Sequence, residues 1–396
     1  MRGRPGLIAD YGSDTAIFRS NVARFWFAVL LVLLVVLGFG GTIPIIGLSL
    51  QGEFLLLAVT ALFASIAAIG LNIVTGFAGQ VSLGHAFFLG LGAFTAAILG
   101  GTGKTRKVFD LESGEFVDQI LLVGYELDML IWLPAAGLVA ALAGLIIAPV
   151  AFRLRGLYLA FVTLGLVFLG EHIFRETEVY TGGVGIGRET ANLDLLGFRF
   201  DQQGEVFGLM LSSNQKLFFL GLVLLLVLAL AAKNLARSRV GRAMAAVRDR
   251  DIAAEMMGID LVRSKVLAFV ISSFYAGIAG ALLFAAVGRV QPESFSLLLS
   301  IQYIAMIFIG GVATVTGSIL GAIFITYLGS MVRWLAGIPL FGFISTSPTG
   351  GFPTVAEMEQ ILFGLLIVGF LIFEPLGLHG IWVRIRNYWK SWPFSY

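Results

Sequence analysis

Long apolar stretches separated by short polar or glycine-rich joints form the pattern of this chain from residue 25 to residue 374. A helix rises about 1.5 Å per residue, so about 20 apolar residues cross the about 30 Å hydrocarbon core of a bilayer. Ten stretches approach this length, which predicts an all-α polytopic membrane protein with about ten transmembrane helices. The predicted spans are 25–46, 54–74, 84–101, 129–151, 156–174, 216–232, 265–288, 297–313, 315–332 and 358–374.

The composition is that of a chain that lies mostly in lipid, because 58% of the residues are hydrophobic and 13% are charged. Soluble domains have about 45–50% apolar and about 25% charged residues. The 50 glycines suit helices that approach closely without a hydrophobic force between them. The absence of cysteine excludes disulfides, thiolate metal sites and cysteine nucleophiles.

Basic residues are concentrated on one predicted side of the membrane. If both termini lie on the same side, that side holds 17 of the 26 Lys and Arg residues but only seven of the 24 Asp and Glu residues. Lys and Arg accumulate on the cytoplasmic side of membrane proteins, so both termini are predicted to be cytoplasmic. The chain then divides into a cytoplasmic arm (1–24), a transmembrane domain (25–376) and a cytoplasmic tail (377–396).

The longest cytoplasmic loop, 233–264, is unusually rich in charge. Together with Lys265 it contains eight Lys or Arg and four Asp or Glu residues among 33. Many good helix formers and no proline predict a helix over Arg239–Met257, and Gly258 offers a stop. The loop is therefore predicted to carry a helix along the cytoplasmic surface.

This predicted helix has one apolar stripe, since Val240, Met244 and Val247 recur at helical spacing. Such a helix can bind anionic lipid or fit into a groove on a soluble partner. Lipid binding alone favours Lys and Arg without the interleaved Asp249 and Asp251. The mixed signs of charge therefore favour a protein partner.

Polar residues inside predicted spans are costly in lipid and point to function. The segment 72–85 combines polar side chains with three glycines and interrupts an apolar stretch. It is either a plain cytoplasmic turn or non-helical backbone that lines a substrate pathway. Polar residues of later spans either face such a pathway or hydrogen-bond between helices. The candidate pathway residues are Asn72, Thr75, Gln80, Ser82, His85, Tyr275 and Gln302.

Motifs of enzymes and nucleotide sites do not occur in recognisable form. The run Gly101–Thr105 lacks the first glycine of a P-loop, because that position is Ile98. His85, His172 and His379 are not paired at metal-ligand spacing, and no Ser-His-Asp arrangement is recognisable. The sequence therefore predicts a transport protein without a metal, a catalytic residue or a nucleic-acid partner.

Five motifs in order resemble the LivM-type permeases of branched-chain amino-acid ABC importers. The match covers about residues 55–375. The motifs are Leu71–His85, Arg153–Gly165, Thr181–Gly183, Gly241–Arg248 and Ala268–Ala281.

The basic loop is also similar to the coupling loop of ABC importer permeases, whose core is Glu-Ala-Ala, three residues and then Gly. Ala253, Ala254 and Gly258 keep this spacing, whereas Ile252 stands in place of the glutamate. The resemblance implies that this loop couples the chain to an ATPase. The implied coupling residues are Arg242, Ala245, Ala246, Arg248, Asp251, Ala253, Ala254, Glu255 and Gly258.

The resemblance implies a type II ABC importer-like fold in a bacterial inner membrane. The expected partners are a second homologous permease subunit, two ABC ATPase subunits that bind ATP and Mg²⁺, a periplasmic substrate-binding protein and membrane lipid. Close relatives in the family carry urea, short amides or other amino acids, so the substrate stays open. A stand-alone secondary transporter or channel is the alternative from another class. It would need paired intramembrane carboxylates, whereas Glu171 and Glu374 lie at span ends.

Overall fold

The structure is a computed structural model that describes residues 21–39, 52–109, 116–154, 156–206, 208–338 and 353–391. Four parts of the predictions lie outside these ranges. They are most of the arm 1–24, the end of the first predicted span, Arg155 and the last residues of the tail.

The described residues are mainly helical, and the helices are numbered in chain order. They are α1 (Asn21–Phe39), α2 (Gly52–Asn72), α3 (His85–Gly100), α4 (Met129–Arg153), α5 (Leu157–Glu176), α6 (Glu178–Thr181), α7 (Ser213–Arg237), α8 (Arg239–Asp249), α9 (Asp251–Met256), α10 (Leu261–Val287), α11 (Leu297–Gly310), α12 (Val315–Ala336), α13 (Val355–Phe373) and α14 (Gly377–Ser391). A π-helical turn, Ile73–Phe77, continues α2, and a 3₁₀ turn, Pro292–Phe295, precedes α11.

The described strands form four antiparallel pairs, β1–β2, β3–β8, β4–β5 and β6–β7. The strands are β1 (Lys104–Phe109), β2 (Phe116–Leu122), β3 (Arg188–Glu189), β4 (Asp194–Leu195), β5 (Phe198–Arg199), β6 (Gly204–Val206), β7 (Leu209–Leu211) and β8 (Arg289–Val290). They lie in the connections between apolar helices, so the bundle itself is helical, as predicted.

Within the described ranges, seven helices are long and apolar enough to cross a membrane. These seven are α2 with its π turn, α4, α5, α7, α10, α12 and α13. Three shorter apolar helices, Arg24–Phe39, His85–Gly100 and Leu297–Gly310, occupy the positions of the other predicted spans. The polytopic helical class is therefore confirmed, and the count of about ten is approximate.

The short helix α3 is tolerated because protein surrounds it. Its 16 residues extend about 24 Å at the rise of an α-helix, which is less than the hydrocarbon thickness. Twelve of these residues are buried. The non-helical residues before it are also partly buried, with Ala78, Gln80, Ser82 and Gly84 inside the protein.

Helix α10 lies at the centre of the bundle and packs against α2, α3 and α4. At these contacts glycines bring main chains together. A Cβ added at Gly92 would lie within 3.0 Å of the Gly277 main chain, and one at Gly280 would lie within 3.0 Å of the Leu89 main chain. A Cβ at Gly277 would similarly meet the carbonyl of Ala136. The closest packing of α3, α4 and α10 therefore requires residues without side chains.

The bundle has two distinct ends. We define the basic end as the one that carries segment 238–260, the π turn and the 311–314 turn between α11 and α12. The loop end carries the strand pairs; there the backbone N–H of Asn192 donates to the carbonyl of Gly100 at 2.9 Å. Helix α7 extends to Arg237 and α10 begins at Leu261. The segment that connects these two long helices at the basic end is therefore 238–260, which is shorter than the predicted loop 233–264.

Arg188 is a buried cation at the loop end. Its guanidinium donates to the carbonyls of Tyr180 (2.7 Å) and Ala97 (2.5 Å), so it binds the C-terminal carbonyls of α6 and α3. Burial lowers the pKa of Arg188 to about 10. The arginine ties the connection after α6 to the end of α3.

The glycine contacts yield a stability prediction. Gly280→Ala should lower the stability of the purified chain by about 1–3 kcal/mol, because the added methyl group overlaps the α3 main chain. Gly165→Ala is the matched control, since a Cβ at Gly165 meets no atom within 4 Å and alanine favours the helix. Thermal unfolding in detergent measures both. Equal unfolding temperatures for the two variants would contradict the close approach of α3 and α10.

Candidate functional site at the basic end

Segment 238–260 is held at both ends by helix caps. Ser238 begins α8, and its Oγ accepts a hydrogen bond from the backbone N–H of Gly241 (3.2 Å). The Asp260 carboxylate accepts one from the first turn of α10 (2.9 Å). Gly258 has φ of +80°, the left-handed conformation that favours glycine after a helix. The predicted stop at Gly258 is therefore confirmed.

The prediction of one continuous helix over Arg239–Met257 is wrong. Arg250 is extended, with φ of −157° and ψ of 100°, and it divides the segment into α8 and α9. Arg248 lies in the last turn of α8 and Asp251 in the first turn of α9. A cation at a helix C-terminus and an anion at a helix N-terminus are both favourable. Arg248 and Asp251 therefore stabilise the end of α8 and the start of α9.

The apolar stripe of α8 faces the chain's own bundle. Met244 is fully buried and packs with Ala78 and Ala268, and Val247 is also buried. The stripe is therefore not available to lipid or to a partner, contrary to both interpretations of the sequence.

The opposite face of the segment is exposed, and it carries large apolar groups. Ile252 is 68% exposed, Met256 85% and Met257 84%. Exposed methionines adapt readily to a binding surface. Any partner groove must therefore contact the tip of α9 rather than the stripe of α8.

Arg248 joins α8 to the broken part of α2. Its Nη1 donates to the carbonyl of Gly76 in the π turn at 3.0 Å, and its guanidinium pairs with Asp249 at 2.9 Å. A Cβ added at Gly79 would lie 2.7 Å from the Arg248 side chain. The exposed segment thus makes a direct, charge-assisted contact with non-helical backbone at the basic end.

The broken part of α2 consists of the π turn and the irregular residues 78–84. π-Helical turns are rare and are frequent at functional sites. Asn72, just before the turn, is 1% exposed. Its Nδ2 donates to the carbonyl of Thr314 (2.9 Å) and to Ser318 Oγ (2.7 Å), and its Oδ1 accepts from the backbone N–H of Ala313 (2.8 Å). Asn72 therefore fastens the α11–α12 turn to the broken helix.

Several buried polar atoms along this segment have no hydrogen-bond partner among the described residues. They are Thr75 Oγ1, both amide atoms of Gln80 and His85 Nε2. Buried polar groups normally have partners, so these atoms indicate a place where a ligand, water or another chain supplies them. Ser82 differs, because its Oγ accepts from the backbone N–H of Gly84 (3.3 Å).

A cavity of about 260 Å³ lies between the broken segment and α8–α9. Its wall contains the Gln80 amide, which has no hydrogen-bond partner among the described residues, and charged side chains of both signs. Its polar lining residues include Gln80, Arg248, Asp249, Arg250, Asp251 and Lys265.

The structure brings together some of the predicted site residues. Gln80, Arg248 and Asp251 line the cavity, although Gln80 was a pathway prediction and the other two were coupling predictions. Tyr275 instead donates its hydroxyl to the carbonyl of Leu228 at 2.8 Å, a bond between α10 and α7.

The other predicted residues lie around this site without lining the cavity. Gln302 is half-buried on α11. Of the remaining coupling residues, Arg242 donates to the carbonyl of Arg237, and Ala254 is buried. Ala245 and Ala246 are half-buried, whereas Ala253 and Glu255 are exposed.

Sequence reasoning missed Arg250 and Lys265 in the cavity wall and the exposed Met256 and Met257. Four consecutive charged residues, 248–251, were a usable signal for the helix break. The methionine pair had no comparable signal, because methionine is also common in buried positions.

Comparison with known proteins gives consistent matches. Residues 54–371 match the family described as the permease component of branched-chain amino acid transport systems. The high-affinity branched-chain amino acid transport system permease protein LivM of Escherichia coli K12 is 30% identical over 325 residues, which cover 79% of this chain and 67% of LivM. The LivM of Salmonella typhimurium LT2 has the same identity and coverage.

The probable branched-chain amino acid transport permease protein LivH of Methanocaldococcus jannaschii is 24% identical over 285 residues, 69% of this chain and 82% of LivH. No solved structure matches the chain. The family match includes the broken segment, segment 238–260 and the apolar helices from α2 to nearly the end of α13. The chain therefore belongs to the family of permease components of branched-chain amino acid transport systems.

Proposed function

We propose that this chain is a membrane-spanning subunit of an ABC importer for branched-chain amino acids in a bacterial inner membrane. The relatives named for this transport support the substrate class. The basic end is then cytoplasmic, as are both termini. The other subunits are a second homologous permease, two ATPases that bind ATP and Mg²⁺, and a periplasmic substrate-binding protein.

The contact between Arg248 and the carbonyl of Gly76 is the observation that carries this proposal. It connects an exposed cytoplasmic segment directly to the buried break in α2. A groove on the ATPase holds the exposed face of α8–α9, including Ile252, Glu255 and Met256. Movement of that groove displaces α8, and the displacement reaches Gly76 through the arginine.

The unpaired polar atoms near the break in α2 support a substrate pathway there. An amino acid carries an ammonium and a carboxylate, and both need hydrogen-bond partners when they leave water. The hydroxyl of Thr75, the amide of Gln80 and Nε2 of His85 offer donors and acceptors that no described residue pairs with. The cavity next to Gln80 forms the cytoplasmic end of the pathway.

Transport by the assembled complex tests the proposed function. Proteoliposomes that contain both permeases, the two ATPases and the binding protein should accumulate labelled leucine only with ATP, and unlabelled isoleucine and valine should compete. Urea should not compete. ATP-dependent uptake of urea without leucine uptake would overturn the substrate class, and uptake by this chain alone would overturn the importer assignment.

Arg248→Met tests the coupling contact. The variant keeps the aliphatic packing beside Gly79 but loses the charge-assisted hydrogen bond, which contributes about 1.5–3 kcal/mol. Leucine uptake per ATP hydrolysed should fall about tenfold or more, while assembly of the complex is unchanged.

Arg263→Met is the control for Arg248→Met, since Arg263 is an exposed arginine at the start of α10, also at the basic end. It should leave the ratio of uptake to ATP hydrolysis unchanged. Equal ratios for Arg248→Met and the native protein would exclude a coupling role for the contact with Gly76.

Gln80→Leu separates a pathway role from a structural one. Because the Gln80 amide has no hydrogen-bond partner in the described part of the chain, its removal should not lower the unfolding temperature. Uptake should nevertheless fall, with a raised KM for leucine. Asn72→Leu is the contrasting variant. It leaves the backbone N–H of Ala313 unpaired, removes the bonds to Thr314 and Ser318, and should cost about 2 kcal/mol or more in stability.

Unfolding in detergent and uptake kinetics measure both variants. Native KM and native uptake rate in Gln80→Leu would exclude a pathway role for Gln80. A loss of stability equal to that of Asn72→Leu would instead assign Gln80 a structural role.

A further inference from the structure

The last helix, α14, is fixed at the basic end of the bundle by its first turn. Gly377 has φ of +62°, and a Cβ there would lie 2.6 Å from the carbonyl of Ile309 at the end of α11. The Thr316 hydroxyl and His379 Nδ1 share a hydrogen bond of 2.8 Å. Arg384 forms an ion pair with Glu374. The start of α14 therefore cannot leave the ends of α11, α12 and α13.

The rest of α14 presents a largely exposed apolar arc. Successive residues of a helix are about 100° apart, which places Ile381, Trp382, Ile385 and Tyr388 within about 120° of one another. Their exposed fractions are 38%, 56%, 47% and 57%. A water-exposed surface of this kind is unfavourable, so the arc requires a cover.

All the charged side chains of α14 are basic, and one of them, Arg384, pairs with Glu374 in the preceding turn. Arg384 and Arg386 are exposed, Lys390 follows in the sequence, and the helix contains no Asp or Glu. This differs from α8–α9, where Asp249, Asp251 and Glu255 alternate with the arginines. Mixed charges suit a protein groove, whereas an apolar arc flanked only by cations suits an anionic membrane surface.

The position of α14 agrees with a membrane surface. In the preceding span, α13, Phe363 is the one buried residue among those described, and Phe373 at its end is 84% exposed. Leu376 in the following turn is 67% exposed. Exposed apolar surface thus continues from a spanning helix to the arc of α14, and Trp and Tyr are enriched at the boundary between hydrocarbon and water.

We propose that α14 lies in the membrane interface at the basic end and binds anionic phospholipid, with Trp382 and Ile385 among the acyl chains and Arg386 at the headgroup phosphates. This surface is separate from the coupling segment and does not depend on the proposed substrate. Through the bond between His379 and Thr316, the lipid-bound helix holds the start of α12. Asn72 fastens the adjacent turn to the broken helix, so an anionic lipid surface stabilises the same region that receives Arg248.

The native chain has no cysteine, so single labelled positions test this placement in the full protein. A fluorophore attached at Ile385→Cys should be quenched by lipids brominated on their acyl chains. The matched probe at Asn387→Cys, about 200° further around the helix, should be quenched by aqueous iodide instead. Both variants are measured in nanodiscs, alone and with the ATPase subunits added.

Two results would overturn the interfacial placement. If iodide quenches both probes equally, α14 lies in water. If brominated lipid does not quench the Ile385→Cys probe and the ATPases protect it from iodide, a protein partner covers the arc.

The choice of anionic lipid is tested with the same Ile385→Cys probe. Brominated phosphatidylglycerol should quench it more strongly than brominated phosphatidylcholine at equal content. Arg386→Gln should lower this preference about fivefold, since each cation near an anionic surface contributes on that order. Arg263→Gln, outside α14, should not change it. Equal quenching of the Ile385→Cys probe by the two lipids, with no other substitution, would overturn the recognition of anionic lipid. The placement of the apolar arc in the membrane is judged by the first experiment alone.

Discussion

Backbone groups inside hydrocarbon have no water to bind, so every break in a spanning helix must be paired within the protein. The organisation of the basic end follows from this requirement. Helix α2 is broken after Asn72 and the chain turns again at 311–314, and the single amide of Asn72 bonds to backbone groups of that turn. The two irregular regions therefore lie side by side and stabilise each other, which makes non-helical backbone possible at the basic end of the bundle.

Two kinds of contact meet at this break, and they differ in strength. Asn72, whose side chain is buried, makes three hydrogen bonds, whereas Arg248 reaches the carbonyl of Gly76 from a partly exposed position. Breaking the hydrogen bonds of Asn72 leaves buried polar groups unpaired and is therefore costly. The bond of Arg248 is partly exposed, so water can replace it at a lower cost. The turn between α11 and α12 thus serves as a fixed support, while Gly76 and the residues after it can respond to α8. The unpaired amide of Gln80 lies on the responsive side.

The sequence predicted the positions of the apolar helices well, because each needs only a long run of apolar residues that is visible locally. It could not show contacts between distant residues. The hydrogen bonds of Asn72 are visible only in the structure, since its partners at 313–318 lie more than 240 positions away, and its pathway role stays a prediction. The stripe with Met244 was correctly identified as one face, but periodicity does not say whether that face meets a partner or the chain's own Ala78. The coupling residues were predicted from the resemblance to a known family, whereas the helix break at Arg250 is visible only in the structure.

The glycine contacts among α3, α4 and α10 have a consequence for how the bundle can deform. Where side chains separate two helices, rotamer changes allow one helix to slide by a fraction of an ångström. Where main chain touches main chain, as at Gly92, Gly277 and Gly280, no such compliant layer exists. These contacts resist sliding of the three helices past one another, whereas the boundary between α7 and α2, where Phe63 and Leu62 lie beside Gly221, contains side chains that can adjust.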